Sequence, residues 1–268
     1  MRVLFLDIDG VLKPVLSGWS EKKCTAESLY EEHRLKFESV GFDYPKMMKT
    51  GGDFQKRTIK NAMRNAGENI DLNVVSGIKK ILDETDAKIV VSSNWREGGY
   101  PLIRALLSMF GLHPYIVGMT SFCCPVFRTP ESEEKDWTMH EEADAALEKV
   151  GKALAEKYKL LLGHDYMWVR NRIPEIMDYL ARHQEVTSYA VVDDEDYIET
   201  IFGPHGVETH YKLKEDQYER LRSALILEDG PYRFKEIDLE PSVAAWHKKW
   251  DLYHDFRMEI SNERVVGA

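Results

Sequence analysis

Arg2-Val-Leu-Phe-Leu-Asp7-Ile-Asp9-Gly10-Val-Leu12 carries an apolar run that stops abruptly at two carboxylates two positions apart, followed by a glycine. Consecutive Val, Leu and Phe residues predict a strand buried on both faces, as in a parallel sheet. A strand repeats every two residues, so Asp7 and Asp9 would share a face if the chain stayed extended, and Gly10 marks a turn. In open α/β sheets ligands sit beyond the carboxyl ends of the strands, where these acids fall. Two carboxylates so close repel unless a cation or a shared proton separates them. A divalent-metal site is therefore the first expectation.

The rest of the chain alternates strands and helices around that start. Helical patterns run over Glu27–Val40 and Phe54–Ala66, with Gly41, Pro45 and Gly51-Gly52 as breakers between them. Leu72–Thr85 is amphipathic, Lys88–Val91 reads as a second buried strand, and a helix over Leu102–Phe110 precedes a short strand at Tyr115–Gly118. After an irregular, acidic stretch come a helix over Arg172–Arg182, a strand Tyr189–Val192, a short strand around Thr209–Leu213 and a helix through Leu227. This alternation predicts a doubly wound, Rossmann-like parallel α/β sheet of about five strands with helices on both faces. The predicted core is discontinuous, comprising residues 1–12, 72–119 and 169–227. It is interrupted by a helical, cap-like insertion at 13–71 and a second, mostly helical one at 120–168. A carboxy-terminal extension, 228–268, carries Val243, Trp246, Trp250 and Tyr253 at helical spacing and is read as a helix docked on the core.

Composition narrows the function. A net charge of −10 over 268 residues argues against a general nucleic-acid or membrane-surface binder, because phosphate backbones are gripped by clustered Lys and Arg. Cys24, Cys123 and Cys124 are too few and too irregular for a disulfide framework or a zinc site, which points to a reducing compartment. No stretch has the apolar length of a membrane span, and the amino terminus does not pattern as a signal peptide, so a cytoplasmic location is expected. Within the first insertion Lys56, Lys60 and Arg64 share one helix face, with Arg57 beside them. The face is either solvated surface or a positive field for an anionic substrate.

Three predicted strands end in polar groups of complementary kinds: Asp7 and Asp9; Ser92-Ser93-Asn94-Trp95-Arg96; and Asp193-Asp194. One such ending is commonly a helix cap; three in this order form a constellation. Asp-x-Asp-Gly-Val after the first strand resembles motif I of the haloacid dehalogenase (HAD) superfamily of phosphatases, Ser92 after Ile-Val-Val resembles motif II, and Val-Val-Asp-Asp resembles motif IV. The Ser-Ser-x-Trp-Arg run and the Arg172-x-x-Glu-Ile and Tyr189-x-x-x-Asp-Asp segments are similar to a HAD branch found also in multidomain RNA-repair ("Swiss Army Knife") proteins. The similarity covers Met1–Leu12, about Leu72–Gly118 and about Arg172–Leu227.

The resemblance implies a Mg²⁺-dependent phosphatase. Asp7 would be the nucleophile that forms an aspartyl-phosphate. Asp9 would protonate the leaving oxygen and then activate water. Ser92 would bind the transferring phosphoryl group, and Mg²⁺ would be held by Asp7, the Asp9 carbonyl and one of Asp193 and Asp194. The motif III cation aligns on Arg172, with Arg170 and Lys159 as competitors. Ser93, Asn94, Arg96, Lys56 and Lys60 are candidate substrate-binding residues, with Trp95 and Arg96 alternatively locking the loop. The expected partner is a phosphorylated substrate: a small phosphometabolite, a phosphorylated protein side chain such as phosphotyrosine, or a nucleic-acid terminal phosphate. Nothing in the sequence points to an oligomeric state.

Other readings fare less well. A degenerate, non-catalytic HAD module for binding or signalling is the alternative, although every acid the chemistry needs is present. A response-regulator receiver places its phosphorylated aspartate on a later strand than the paired acids. A dinucleotide-binding enzyme would carry Gly-x-Gly-x-x-Gly in the first turn, and that fingerprint is missing here.

Overall fold

The computed structural model describes residues 1–14, 24–120, 166–195, 198–210 and 212–230. Five strands, β1 (Arg2–Leu6), β2 (Lys88–Val91), β3 (Ile116–Met119), β4 (Ser188–Asp193) and β5 (Gly206–Glu208), form one sheet. All pair in parallel, in the order β3-β2-β1-β4-β5. The opening strand is thus the central one, as its unbroken burial demands, and the topology reverses direction beside it. That switch point is where an open α/β sheet leaves a crevice.

Strand periodicity divides the core. Val3 and Phe5 face one layer with Ile173, Ile176, Met177 and Leu180 of the helix Tyr166–Arg182, and with the short helix Ile198–Phe202. Leu4 and Leu6 face the other, which takes in the helices Leu72–Thr85, Tyr100–Met109 and Glu215–Ile226. In chain order the helices are α1 (Ala26–Ser39), α2 (Tyr44–Thr50), α3 (Asp53–Asn69), α4 (Leu72–Thr85), α5 (Tyr100–Met109), α6 (Tyr166–Arg182), α7 (Ile198–Phe202) and α8 (Glu215–Ile226).

The helices α1 to α3 do not form a core of their own. Phe37, Ile59 and Met63 are fully buried in the cluster that also holds Leu102, Ile103 and Leu106 of α5. Burying each such side chain is worth about 1.5–3 kcal/mol. The first insertion is therefore fastened to the parent sheet layer, and α3 lies against the turn after β2 (Asn94–Gly98). Of the second insertion, only Thr120 and the start of α6 are described. The Trp246/Trp250 stripe lies outside the described residues.

The structure corrects four local expectations. The last strand is Gly206–Glu208 and not Thr209–Leu213. Gly206 obscured it: a Cβ there would lie 2.4 Å from the Ile198 carbonyl, so the glycine admits α7 against the strand. Pro45 starts α2 and does not merely break a helix, because its missing N–H costs nothing in the first turn. Helix α6 begins at Tyr166, six residues before the predicted Arg172. The five-residue α7 escaped periodicity analysis because it is shorter than two turns.

Candidate active site

Register builds the site. Leu6 pairs with Val91 on one side and Val192 on the other, so the next residues out, Asp7, Ser92 and Asp193, emerge in one row at the strand ends. The Asp7 N–H donates to the Val192 carbonyl at 3.1 Å, and the Ser92 N–H donates to the Leu6 carbonyl at 2.9 Å, which extends the ladder through that row. After Asp7 the chain tightens: the Leu12 and Lys13 N–H groups both donate to the Ile8 carbonyl, and the Gly10 N–H donates to the Lys13 carbonyl. Gly10 sits at φ +72°, and a Cβ on it would come within 2.2 Å of the Asp194 carboxyl group. Only glycine allows that approach.

Asp7, Asp193 and Asp194 each place a carboxylate oxygen within 4.8 Å of the others. Asp7 and Asp193 are buried. Burial pushes the Asp7 carboxyl up to about 7, against the pull of the Arg172 guanidinium and a hydrogen bond from Ser93. Burial likewise raises Asp193 well above the carboxylate range, and it raises Asp194. The three acids crowd around the Arg172 guanidinium, an excess of negative charge over that cation. Among the described residues, two buried oxygens, Asp193 Oδ2 and Ser92 Oγ, have no hydrogen-bond partner. An all-oxygen donor set with an orphaned carboxylate oxygen fits a hard divalent cation such as Mg²⁺.

The cation between Asp7 and Asp193 is Arg172, a buried residue on α6. Its Nη1 lies 3.5 Å from Asp7 Oδ1, its Nε 3.7 Å from Asp193 Oδ2, and its Nη2 3.4 Å from Asn94 Oδ1. Burial pulls this guanidinium down, but Asp193 and Asp7 together push it above its ordinary value. Its two competitors, the Arg170 side chain and Lys159, lie outside the described groups.

Asp9 is held by both oxygens. Lys13 Nζ is 2.7 Å from Oδ1, and the indole Nε1–H of Trp95 donates to Oδ2 at 2.8 Å. Neither contact was legible in the motifs, although Lys13 stands four residues from Asp9. Ser93 is buried, and its Oγ caps the turn that carries Asn94 and Trp95. Asn94, in that turn, is exposed.

Arg96 makes the contacts of the loop-locking alternative. It is 1% exposed, and its Nε donates to the Ser93 carbonyl at 2.6 Å. Its Nη1 donates to the Thr120 carbonyl at 3.0 Å and to the Thr120 hydroxyl, and its Nη2 pairs with Glu175 at 2.8 Å. Burial lowers the Arg96 pKa even so. The side chain ties the ends of β2 and β3 to α6, one turn from Arg172.

Lys60 pairs with Glu27 at 3.4 Å on the surface. A cavity of about 270 Å³ beside the site is lined instead by the neighbouring face of α3, through Arg57, Asn61 and Asn65, together with Asn94 and Trp95. Lys56 is not among its lining residues. A larger hollow of about 600 Å³ lies between α4 and α8 and shares no residue with the acidic cluster.

A family model described as "HAD domain in Swiss Army Knife RNA repair proteins" matches residues 3–217. The chain belongs to this family. The matched span takes in both insertions, which the motifs alone left outside. HAD domains generally use Mg²⁺, and the acidic cluster at Asp7, Asp193 and Asp194 could hold one. Neither the curated proteins nor the solved structures contain a match to the chain.

Proposed function

We propose that this HAD domain hydrolyses a phosphate monoester through an aspartyl-phosphate on Asp7. The observation that carries the reading is the row at the strand ends: a buried Asp7 within 4.8 Å of Asp193 and Asp194, beside the unpartnered hydroxyl of Ser92. Mg²⁺ held by Asp7, the Asp9 carbonyl, and Asp193 or Asp194 would offset the charge of the incoming phosphate and keep Asp7 ionised. Arg172 sets the orientation of Asp7 and offers its guanidinium to the phosphoryl oxygens, and the Ser92 Oγ–H donates to one of them. An Asp7 carboxylate oxygen attacks phosphorus as the bond to the leaving oxygen breaks, and Asp9 gives that oxygen its proton. Asp9, now a carboxylate, takes a proton from the water that then attacks phosphorus and frees Asp7.

The cavity walled by Arg57, Asn61, Asn65, Asn94 and Trp95 is the natural seat of the leaving group, and its amides favour one that forms hydrogen bonds. Among the three substrate classes, a nucleic-acid terminal phosphate is favoured by the family's description. The charge of −10 then implies a grip on the strand end and not along its length.

The test is turnover of p-nitrophenyl phosphate with Mg²⁺, followed by sugar phosphates, nucleotides, phosphopeptides and 3′- or 5′-phosphorylated oligonucleotides. Wild-type protein is expected to turn over the reporter ester, and Asp7→Asn or EDTA to abolish the reaction. Persistent hydrolysis by Asp7→Asn would overturn the assignment of the nucleophile.

A further inference from the structure

We propose that Trp95 is a positioning residue for Asp9: its indole N–H fixes one carboxylate oxygen and leaves the other to exchange the proton. The inference rests on the phosphatase reading and concerns a residue that this reading does not itself require.

The two oxygens of Asp9 are held unequally. Trp95, a residue 6% exposed, grips Oδ2 at 2.8 Å across 86 residues of sequence. Its backbone is set by the turn that Ser93 caps, and the Arg96 guanidinium anchors that turn through the Ser93 carbonyl. Few rotamers are open to such a side chain, so the bond costs little further ordering. Lys13 holds Oδ1 from the same tight turn as Asp9, on a long and flexible stem. Such an ammonium exchanges partners readily when a phosphate arrives.

Direction follows from this inequality. Both partners can only donate, so the proton for the leaving group belongs on the oxygen whose partner can swing away: the Lys13 ammonium can leave Oδ1, whereas the packed indole of Trp95 stays on Oδ2. In the first step Oδ1–H gives its proton to the ester oxygen, while the electron pair of the breaking P–O bond stays on that oxygen. In the second step Oδ1 accepts a proton from water as the new O–P bond forms and the bond to Asp7 breaks. The ring of Trp95 also walls the cavity assigned to the leaving group. One side chain therefore bounds the space the leaving group fills and holds the acid beside it.

The experiment compares Trp95→Phe with wild type on two esters, p-nitrophenyl phosphate and a simple alkyl phosphate. p-Nitrophenolate leaves with little help from an acid, whereas an alkoxide needs the proton. Loss of the positioning bond should lower kcat/KM for the alkyl ester by about tenfold to a hundredfold and for the nitrophenyl ester by about threefold or less. In an Asp9→Asn background the same substitution should produce no further difference between the esters. An equal loss on both esters, or no loss, would overturn the positioning role while leaving the phosphatase reading standing. A wild-type chain inert on both would overturn the phosphatase reading instead. The contact has its own readout that leaves Trp95 intact: Asp9→Asn should shift one indole N–H resonance in the ¹⁵N-labelled protein. An unmoved indole spectrum would overturn the proposal.

Discussion

Asp7 is a carboxylic acid that burial carries toward neutrality. Its ordinary pKa is 3.8, and in the folded, cation-free chain burial raises it to about 7. Between those values the folded protein retains a proton that the unfolded chain has lost. Metal-free stability therefore falls as pH rises across that window and levels off above it. Asp193, raised by burial, acts in the same direction. Melting temperatures in EDTA should fall with pH across the window for wild type and less steeply for Asp7→Asn. Mg²⁺ should raise the melting temperature most above the window, where the carboxylates are ionised. An Asp7→Asn curve parallel to that of wild type would show that the strain lies elsewhere.

At the scale of elements, the site depends on how loops are fastened to strand ends. The turn after β2 is held to the end of β3 by hydrogen bonds from Arg96 to Thr120, and to α6 by the buried ion pair of Arg96 with Glu175, whose side chains are 1% and 4% exposed. Removing one partner of such a pair leaves a buried, uncompensated charge, at a cost of about 3–5 kcal/mol. Glu175→Ala should therefore lower stability by that order in urea unfolding, whereas Arg96→Met combined with Glu175→Leu should cost less than the single change. A single substitution that costs no more than the double would refute the strut. On α3, the face over the site carries Arg57, and Lys60 is paired away from it. Arg57→Ala should raise KM for the physiological substrate class with kcat little changed, and Lys60→Ala should leave both alone. Steady-state kinetics on the best ester from the substrate screen decide between them.

Over the whole molecule, the parallel sheet acts as a ruler. Because β1 lies between β2 and β4 in matching register, residues separated by most of the chain arrive in one row. The helices between β1 and β2 share the core of the parent layer, so α3 is a fixed wall of the crevice. No helix among the described residues is long and apolar enough to cross a membrane.

Much of this was legible in the sequence, because strong local patterns leave few choices. A run such as Val3–Leu6, followed by alternating helices and strands, reads as a strand buried on both faces of a parallel sheet, and acids at its carboxyl end then face the crevice. That argument reached Asp7, Asp9, Ser92, Asp193 and Asp194, together with the class of fold. Alignment by motif reached Arg172. Tertiary structure alone decided the tasks of the remaining polar groups. Arg96 is as polar in sequence as Arg57, yet one is sealed beneath the site and the other lines the cavity beside it, because a single residue of helix phase or one tight turn sends a side chain inward or outward. The grip of Trp95 on Asp9 joins positions 86 residues apart. No periodicity encodes a contact of that separation; it exists only once the sheet has brought the ends of β1 and β2 side by side.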